Sequence, residues 1–176
     1  GCKTDCYAVS DAKRYHNTVI KSQGNNTLLA RFDRERFFED VQRFIDYNMI
    51  AAMRIHSSGE FLNYAYFIGW IELIKKNPDI KFYCYTKRFN FIERYLESGG
   101  EIPSNFAINV SIWKKNYDTP YNLQEFIYDD GTEPELEKIP HCPASDKNGN
   151  KTGMTCAACK LCISAKPGQK IAVYAH

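Results

Sequence analysis

The sequence predicts an α/β fold, built as a partial (β/α) barrel or a small parallel sheet with a cysteine-rich C-terminal excursion. Strand-like segments begin near residues 50, 80 and 106, and helical periodicity fills the gaps between them. Such spacing favours parallel pairing through right-handed crossovers. The chain has 176 residues, fewer than the roughly 250 of a closed eight-unit barrel. That length predicts a single domain over residues 1–176.

Helix and strand patterns alternate through the first half of the chain. Aromatic and aliphatic residues recur at helical spacing over 34–48, with Asp33 as a plausible N-cap. The apolar run 49–57 has the length of a strand. Helical spacing returns over 58–78, and Pro78 ends that helix.

The alternation continues through the second half. The segment 80–87 is dense in aromatic and β-branched residues and reads as a strand. A helix follows over 89–97, and Gly99 and Gly100 stop it. Further strands are predicted over 106–113, 123–130 and 170–176, the middle one with the weakest pattern.

The cysteines point to metal chemistry. Three of the seven lie in the string TCAACKLC at intervals of three, which lets one tight loop turn several thiolates toward one centre. The segment 129–169 is rich in Gly, Pro, Asp and Lys, so we expect a metal to staple it as a loop excursion. Cys84 lies mid-strand and is expected to be a small buried hydrophobe. The predicted metal ligands are Cys2, Cys6, Cys142, Cys156, Cys159 and Cys162.

Alternatives to this metal interpretation stay open. Disulfides explain the pattern less well, because the cysteine count is odd and no secretion signal opens the chain. Cys2 and Cys6 could share a metal or merely lie on one helical face, and His141 or His176 could supply a further ligand. The C-x2-C-x2-C run favours a [4Fe-4S] cluster, with zinc as the alternative.

Polar residues follow the predicted strands at the edge where α/β proteins bind ligands. Ser58, Gly59 and Glu60 could hold a cofactor there, while His56 and Lys87 could contact substrate. The same SSGE string is also a plain helix N-cap, with Glu60 in the favourable first turn.

Charge does not argue for a nucleic-acid or membrane partner. The chain carries 23 basic and 21 acidic side chains, and no apolar run is long enough to span a bilayer. Three short basic groups could contact phosphates, but each is as readily an ordinary solvated face. These groups are Lys87 with Arg88, Lys114 with Lys115, and Lys147 with Lys151.

Several strings together resemble the phage "gene product 88" family across nearly the whole chain. They are the Cys2-x3-Cys6-Tyr-Ala opening, RIHSSGEF, IKFYCYTKRFNF, NVSIW, HCP, TCAACKLC and IAVYAH. The resemblance implies a phage-derived protein in the cytoplasm of a bacterial host, with no established biochemical role.

The motif layout is also similar to radical S-adenosylmethionine enzymes. That resemblance implies a [4Fe-4S] cluster, S-adenosylmethionine as a cofactor, and Ser58, Gly59 and Glu60 near its amino group. Val9 stands where that family has its third cysteine. Such a cluster needs one open iron, so four protein thiolates would leave none for the cofactor. Two hypotheses follow: a radical-type or redox enzyme on an unknown substrate, and a non-catalytic metal-stapled module that binds a host protein or nucleic acid.

Overall fold

The computed structural model describes residues 12–15, 17, 20–112, 123–148, 150–164 and 166–174. The chain divides into two compact units. We call Gly1–Ile50 with Phe61–Asn77 the helical unit, and Ala51–Glu60 with Pro78–His176 the sheet unit. The single domain expected from the length therefore stays a prediction. No helix of the described residues is long and apolar enough to cross a membrane.

The helical unit contains α1 (Lys21–Phe32), α2 (Arg34–Asn48) and α3 (Tyr64–Lys76). Helix α2 spans the predicted range, and the Asp33 side chain accepts a hydrogen bond from the Arg36 backbone N–H at 3.2 Å, which confirms the predicted cap. Helix α1 was not predicted, since Gly24 and two asparagines weaken its pattern. It packs against α2, so tertiary contact outweighs its poor local propensity.

Helix α3 begins five or six residues later than an N-cap at Ser58 or Ser57 would require. Its N-cap is Asn63, whose side chain accepts a hydrogen bond from the Tyr66 backbone N–H at 2.9 Å. The interpretation of SSGE as a helix N-cap is therefore wrong. Residues 57–60 form a turn instead, in which Gly59 has a positive φ of 90°.

Four aromatic rings join α2 to α3 within the helical unit. Phe37 and Phe38 lie 5.2 Å apart between ring centroids, and Phe38 lies 5.5 Å from Trp70 and 5.7 Å from Tyr66. Gly69 lets α3 approach this cluster, because a Cβ at that position would overlap the Phe38 ring.

We expect Gly69→Ala to destabilise the chain by about 1 to 3 kcal/mol, because the Phe38 ring must move within a packed cluster. Gly24→Ala is the matched control, since its Cβ would meet nothing within 4 Å in α1. The control should stabilise by about 0.5 to 1 kcal/mol through helix propensity. Urea unfolding of both variants measures the difference, and equal effects would contradict the role given to Gly69.

The sheet unit contains five parallel strands in sequence order. This confirms the predicted α/β class with a small parallel sheet. Helix α4 (Phe89–Glu97) lies between β2 and β3 in sequence, as predicted. The strands are β1 (Ala52–Ile55), β2 (Lys81–Thr86), β3 (Phe106–Ile112), β4 (Gln124–Asp129) and β5 (Lys170–Tyr174).

The two faces of the sheet differ in chemistry. Alternation along the strands puts Phe82, Cys84 and Val110 on one face, and all three are fully buried. This confirms Cys84 as a buried hydrophobe. On the opposite face, Tyr85 pairs in register with Asn109, and Asn109 with Gln124. These three side chains form one polar row across β2, β3 and β4.

The excursion between β4 and β5 returns to the edge of the sheet. After a 3-10 turn at Pro134–Lys138, the Cys142 backbone N–H donates to Ala172 O at 2.7 Å, and the Ala172 N–H donates to Pro140 O at 2.9 Å. His141 thereby pairs with β5 in parallel orientation. These bonds place Cys142 beside the strand that ends the described chain.

Candidate metal centre

Four cysteines line one cavity in the sheet unit. Cys142, Cys156, Cys159 and Cys162 share it with Tyr85, and its empty volume of about 370 Å³ is partly open to solvent. All four are free thiols. The cavity thus brings together all predicted ligands in the described part of the chain, while Cys2 and Cys6 lie outside the described residues.

Local structure explains how three of these thiols reach the same cavity. Cys156 and Cys159 lie on the single-turn helix α5 (Cys156–Cys159), which Thr155 caps by accepting a hydrogen bond from the Ala158 N–H at 3.3 Å. Lys160 then takes a left-handed conformation with φ 60°. The chain reverses at that residue, and Cys162 comes back to the cavity.

The four thiols are suitable ligands for a soft metal, although they do not lie close enough together to coordinate one ion. Thiolates are the preferred ligands of zinc and of iron-sulfur clusters. Among the described residues, no three His, Cys, Asp or Glu side chains stand close enough to hold a metal ion. A metal would therefore have to draw the four sulfurs together.

Burial acts on the protonation of these thiols. It raises the pKa of Cys162 to about 11, against a weaker lowering by the neighbouring Tyr85 side chain. Burial also raises the pKa of Cys142. Both thiols are therefore neutral near pH 7 without a cation, and a metal that bound them would displace their protons.

Tyr85 packs against Phe126 and Arg54 at the wall of the cavity. Its ring lies 4.9 Å from that of Phe126, and the Arg54 guanidinium lies 4.8 Å from its centroid. Burial, followed by the nearby Cys162, raises the pKa of the Tyr85 phenol. The phenol thus keeps its proton and lines the cavity together with Cys162.

Glu60 joins the loop after β1 to the end of β2. Its Oε2 atom accepts hydrogen bonds from Thr86 Oγ1 and from the Lys87 backbone N–H, both at 2.9 Å. Burial raises the pKa of Glu60, and these two bonds partly offset that effect. The Oε2 atom of Glu60 therefore has a structural role, because it joins the loop after β1 to the end of β2.

The residues predicted to hold a cofactor or substrate lie elsewhere than the thiols. Ser58, Gly59, Glu60, His56 and Lys87 are all described, and none of them lines the cysteine cavity. Their predicted binding roles stay predictions. The structure does place all five at the carboxyl ends of β1 and β2, as expected.

His141 does not line the cysteine cavity, and its role as a further metal ligand stays a prediction. Its Nε2 lies 2.8 Å from Asp129 Oδ2, and its Nδ1 lies 3.1 Å from Ile139 O. The ring also stacks on Tyr174 with centroids 4.2 Å apart. Both ring nitrogens of His141 thus have protein partners. Of the adjacent residues His141 and Cys142, Cys142 is the one that lines the cavity. The other histidine considered, His176, lies outside the described residues.

Sequence reasoning missed the roles of Asn109 and Gln124. Both are buried, and both bond to the backbone of the loop that carries Cys162. Polar residues inside strands that otherwise read as buried were the available signal.

Comparison with known proteins gives two matches. The family model described as "Gene product 88" matches residues 1–165. The "Gene 88 protein" of Mycobacterium phage L5 is 31% identical over 124 residues, which cover 64% of this chain and 51% of that protein. The chain thus spans about half the length of this curated relative. No solved structure gives a significant match.

Proposed function

The chain belongs to the phage gene product 88 family, and from this premise we propose that it is a metal-thiolate protein. Cys142, Cys156, Cys159 and Cys162 would hold one centre, a [4Fe-4S] cluster in the favoured form and zinc in the alternative. The centre would be structural or electron-transferring. Neither match names a radical S-adenosylmethionine enzyme, so that resemblance stays a prediction.

One observation carries the proposal: four free thiols from two separate segments line the same cavity. Four thiolates complete the ligand set of tetrahedral zinc or of an ordinary four-iron cluster. The C-x2-C-x2-C spacing favours the cluster, since structural zinc sites usually combine two separated C-x2-C pairs. A bound cluster would supply one-electron chemistry.

The surroundings of the thiols support the same proposal. Leu161, Ile163 and Ile171 contribute apolar wall to the cavity. This wall limits water at the partly buried Cys142, Cys159 and Cys162, while Cys156 is exposed. The Tyr85 phenol lines the same cavity, and a hydrogen bond from it to a ligating sulfur would stabilise the negative charge of that sulfur.

Radical chemistry is the less favoured form of the proposal. It needs a cluster with one iron open to S-adenosylmethionine, and four protein thiolates would leave no such site. Ser58, Gly59 and Glu60 also lie outside the cavity lining. We infer instead a module that works in the reducing cytoplasm of a bacterial host, where its thiols stay available for metal.

The test is metal analysis of protein purified without oxygen. The cluster form predicts about four iron and four sulfide per chain and a paramagnetic signal after reduction. Zinc at about one per chain supports the metal-thiolate proposal in its alternative form. Absence of all three elements after anaerobic reconstitution would overturn it. Production of 5′-deoxyadenosine from S-adenosylmethionine would overturn the assignment of a structural or electron-transferring centre, because that reaction requires an iron open to the cofactor.

A further inference from the structure

Two buried amides lie between the sheet and the cysteine loop. Asn109 on β3 is fully buried, and Gln124 at the start of β4 is 2% exposed. Their side chains bond to each other, with Gln124 Nε2 donating to Asn109 Oδ1 at 2.5 Å. We call these two residues the amide pair.

The amide pair bonds to the loop at three points. Asn109 Nδ2 donates to Cys162 O at 3.1 Å and Gln124 Nε2 donates to Leu161 O at 3.4 Å. Gln124 Oε1 accepts from the Lys166 backbone N–H at 3.1 Å. The remaining Asn109 donor reaches Cys84 O in β2 at 3.0 Å. The same two side chains therefore bond to the sheet and to the backbone of Leu161, Cys162 and Lys166.

Burying two amides is unfavourable unless they are hydrogen-bonded, and apolar side chains could fill this space without that requirement. Amides impose direction, however, because each donor or acceptor fixes the position of a particular backbone group. The groups fixed here include the carbonyl of Cys162 itself. Its thiol lies on the cavity side, beside Tyr85.

We propose that Asn109 and Gln124 are positioning residues for the metal centre, holding Leu161, Cys162 and Lys166 so that Cys162 presents its sulfur to the cavity. The inference rests on the proposed function. The amide pair touches no metal and acts through the backbone of the loop.

Cobalt(II) titration of the chain tests this role, since four thiolates give it strong charge-transfer absorption. Gln124→Met keeps the volume but removes the bonds to Leu161 and Lys166, and Asn109→Leu removes the bond to Cys162. Each should weaken cobalt binding about 10- to 100-fold, the usual effect of losing a group that orients a ligand. Asn105→Ala is the matched control: this buried amide donates to Ile80 O at 3.0 Å, where β2 begins. It should lower thermal stability yet leave cobalt affinity unchanged.

A second measurement does not depend on metal. In metal-free protein, mass spectrometry of alkylated peptides should show Cys162 reacting about fivefold faster or more in Gln124→Met, because its loop opens more often. The reaction rate of Cys84 should not change. The inference would be overturned if both variants kept the cobalt affinity and the Cys162 reaction rate of the wild-type chain. If the wild-type chain fails to bind any metal, the proposed function fails, while the Cys162 rate still decides whether the amide pair holds the loop.

Discussion

Replacing Cys159 with serine is expected to weaken metal binding by about 100-fold or more. Structural zinc sites bind with about 10 to 16 kcal/mol shared among four ligands, so losing one thiolate removes several kcal/mol. The same result is expected for Cys142, Cys156 and Cys162, which line the same cavity. Competition titration against a chelator of known affinity measures the loss.

Cys84→Ala is the matched control for these variants. Cys84 is fully buried and faces away from the polar row of the sheet, so its loss should change stability but not metal affinity. Bound metal should also raise the stability of the wild-type chain, by about 2.7 kcal/mol at 100 times its dissociation constant. Undiminished binding by Cys159→Ser would contradict the assignment of these four ligands.

Acidification from pH 6.5 to pH 4 is expected to remove about 3 kcal/mol of stability through His56 alone. Burial lowers the pKa of His56 from 6.5 to about 4 in the folded chain. Between these values the unfolded chain takes up a proton that the folded chain does not. The stability from His56 is therefore complete above pH 6.5 and is lost as the pH falls toward 4.

The variant His56→Asn isolates this effect. His56 has a φ of 58°, and asparagine is among the few residues that adopt such a conformation readily. Urea unfolding at pH 7.5 and 4.5 should show a smaller loss of stability in the variant than in the wild type. Glu60 acts in the opposite direction, since its raised pKa adds stability at low pH that is lost as the pH rises. Subtracting the free energy of unfolding of the variant from that of the wild type cancels the contribution of Glu60. If this difference did not change with pH, the role given to His56 would be contradicted.

Periodicity predicted the regular elements well where apolar residues dominate. The range of α2 and the cap at Asp33 follow from residues close in sequence. The order of the strands within the sheet does not, because it depends on pairing between distant segments. Helix α1 escaped prediction because its contact with α2 outweighs its own weak propensity. The N-cap alternative for SSGE was wrong because serine favours helix N-caps and turns alike.

The sequence predicted the candidate ligands of the site but not the backbone pairing and buried amides that position them. Cys142 is 14 residues from Cys156, and only the pairing of its segment with Ala172 places it at the cavity. The bonds of Asn109 and Gln124 link strands β3 and β4 to a loop more than 30 residues away. No local pattern specifies such partners.

By itself the sequence determined the α/β class with a small parallel sheet and the clustering of three cysteines within 156–162, since each depends on spacing between near neighbours in the chain. Tertiary structure alone decided which thiols share a cavity, which polar side chains are buried beneath them, and that Ser58, Gly59 and Glu60 lie outside the cavity lining. The physical reason is that hydrogen bonds and burial depend on distances in space, and folding brings together groups whose separation along the chain carries no signal.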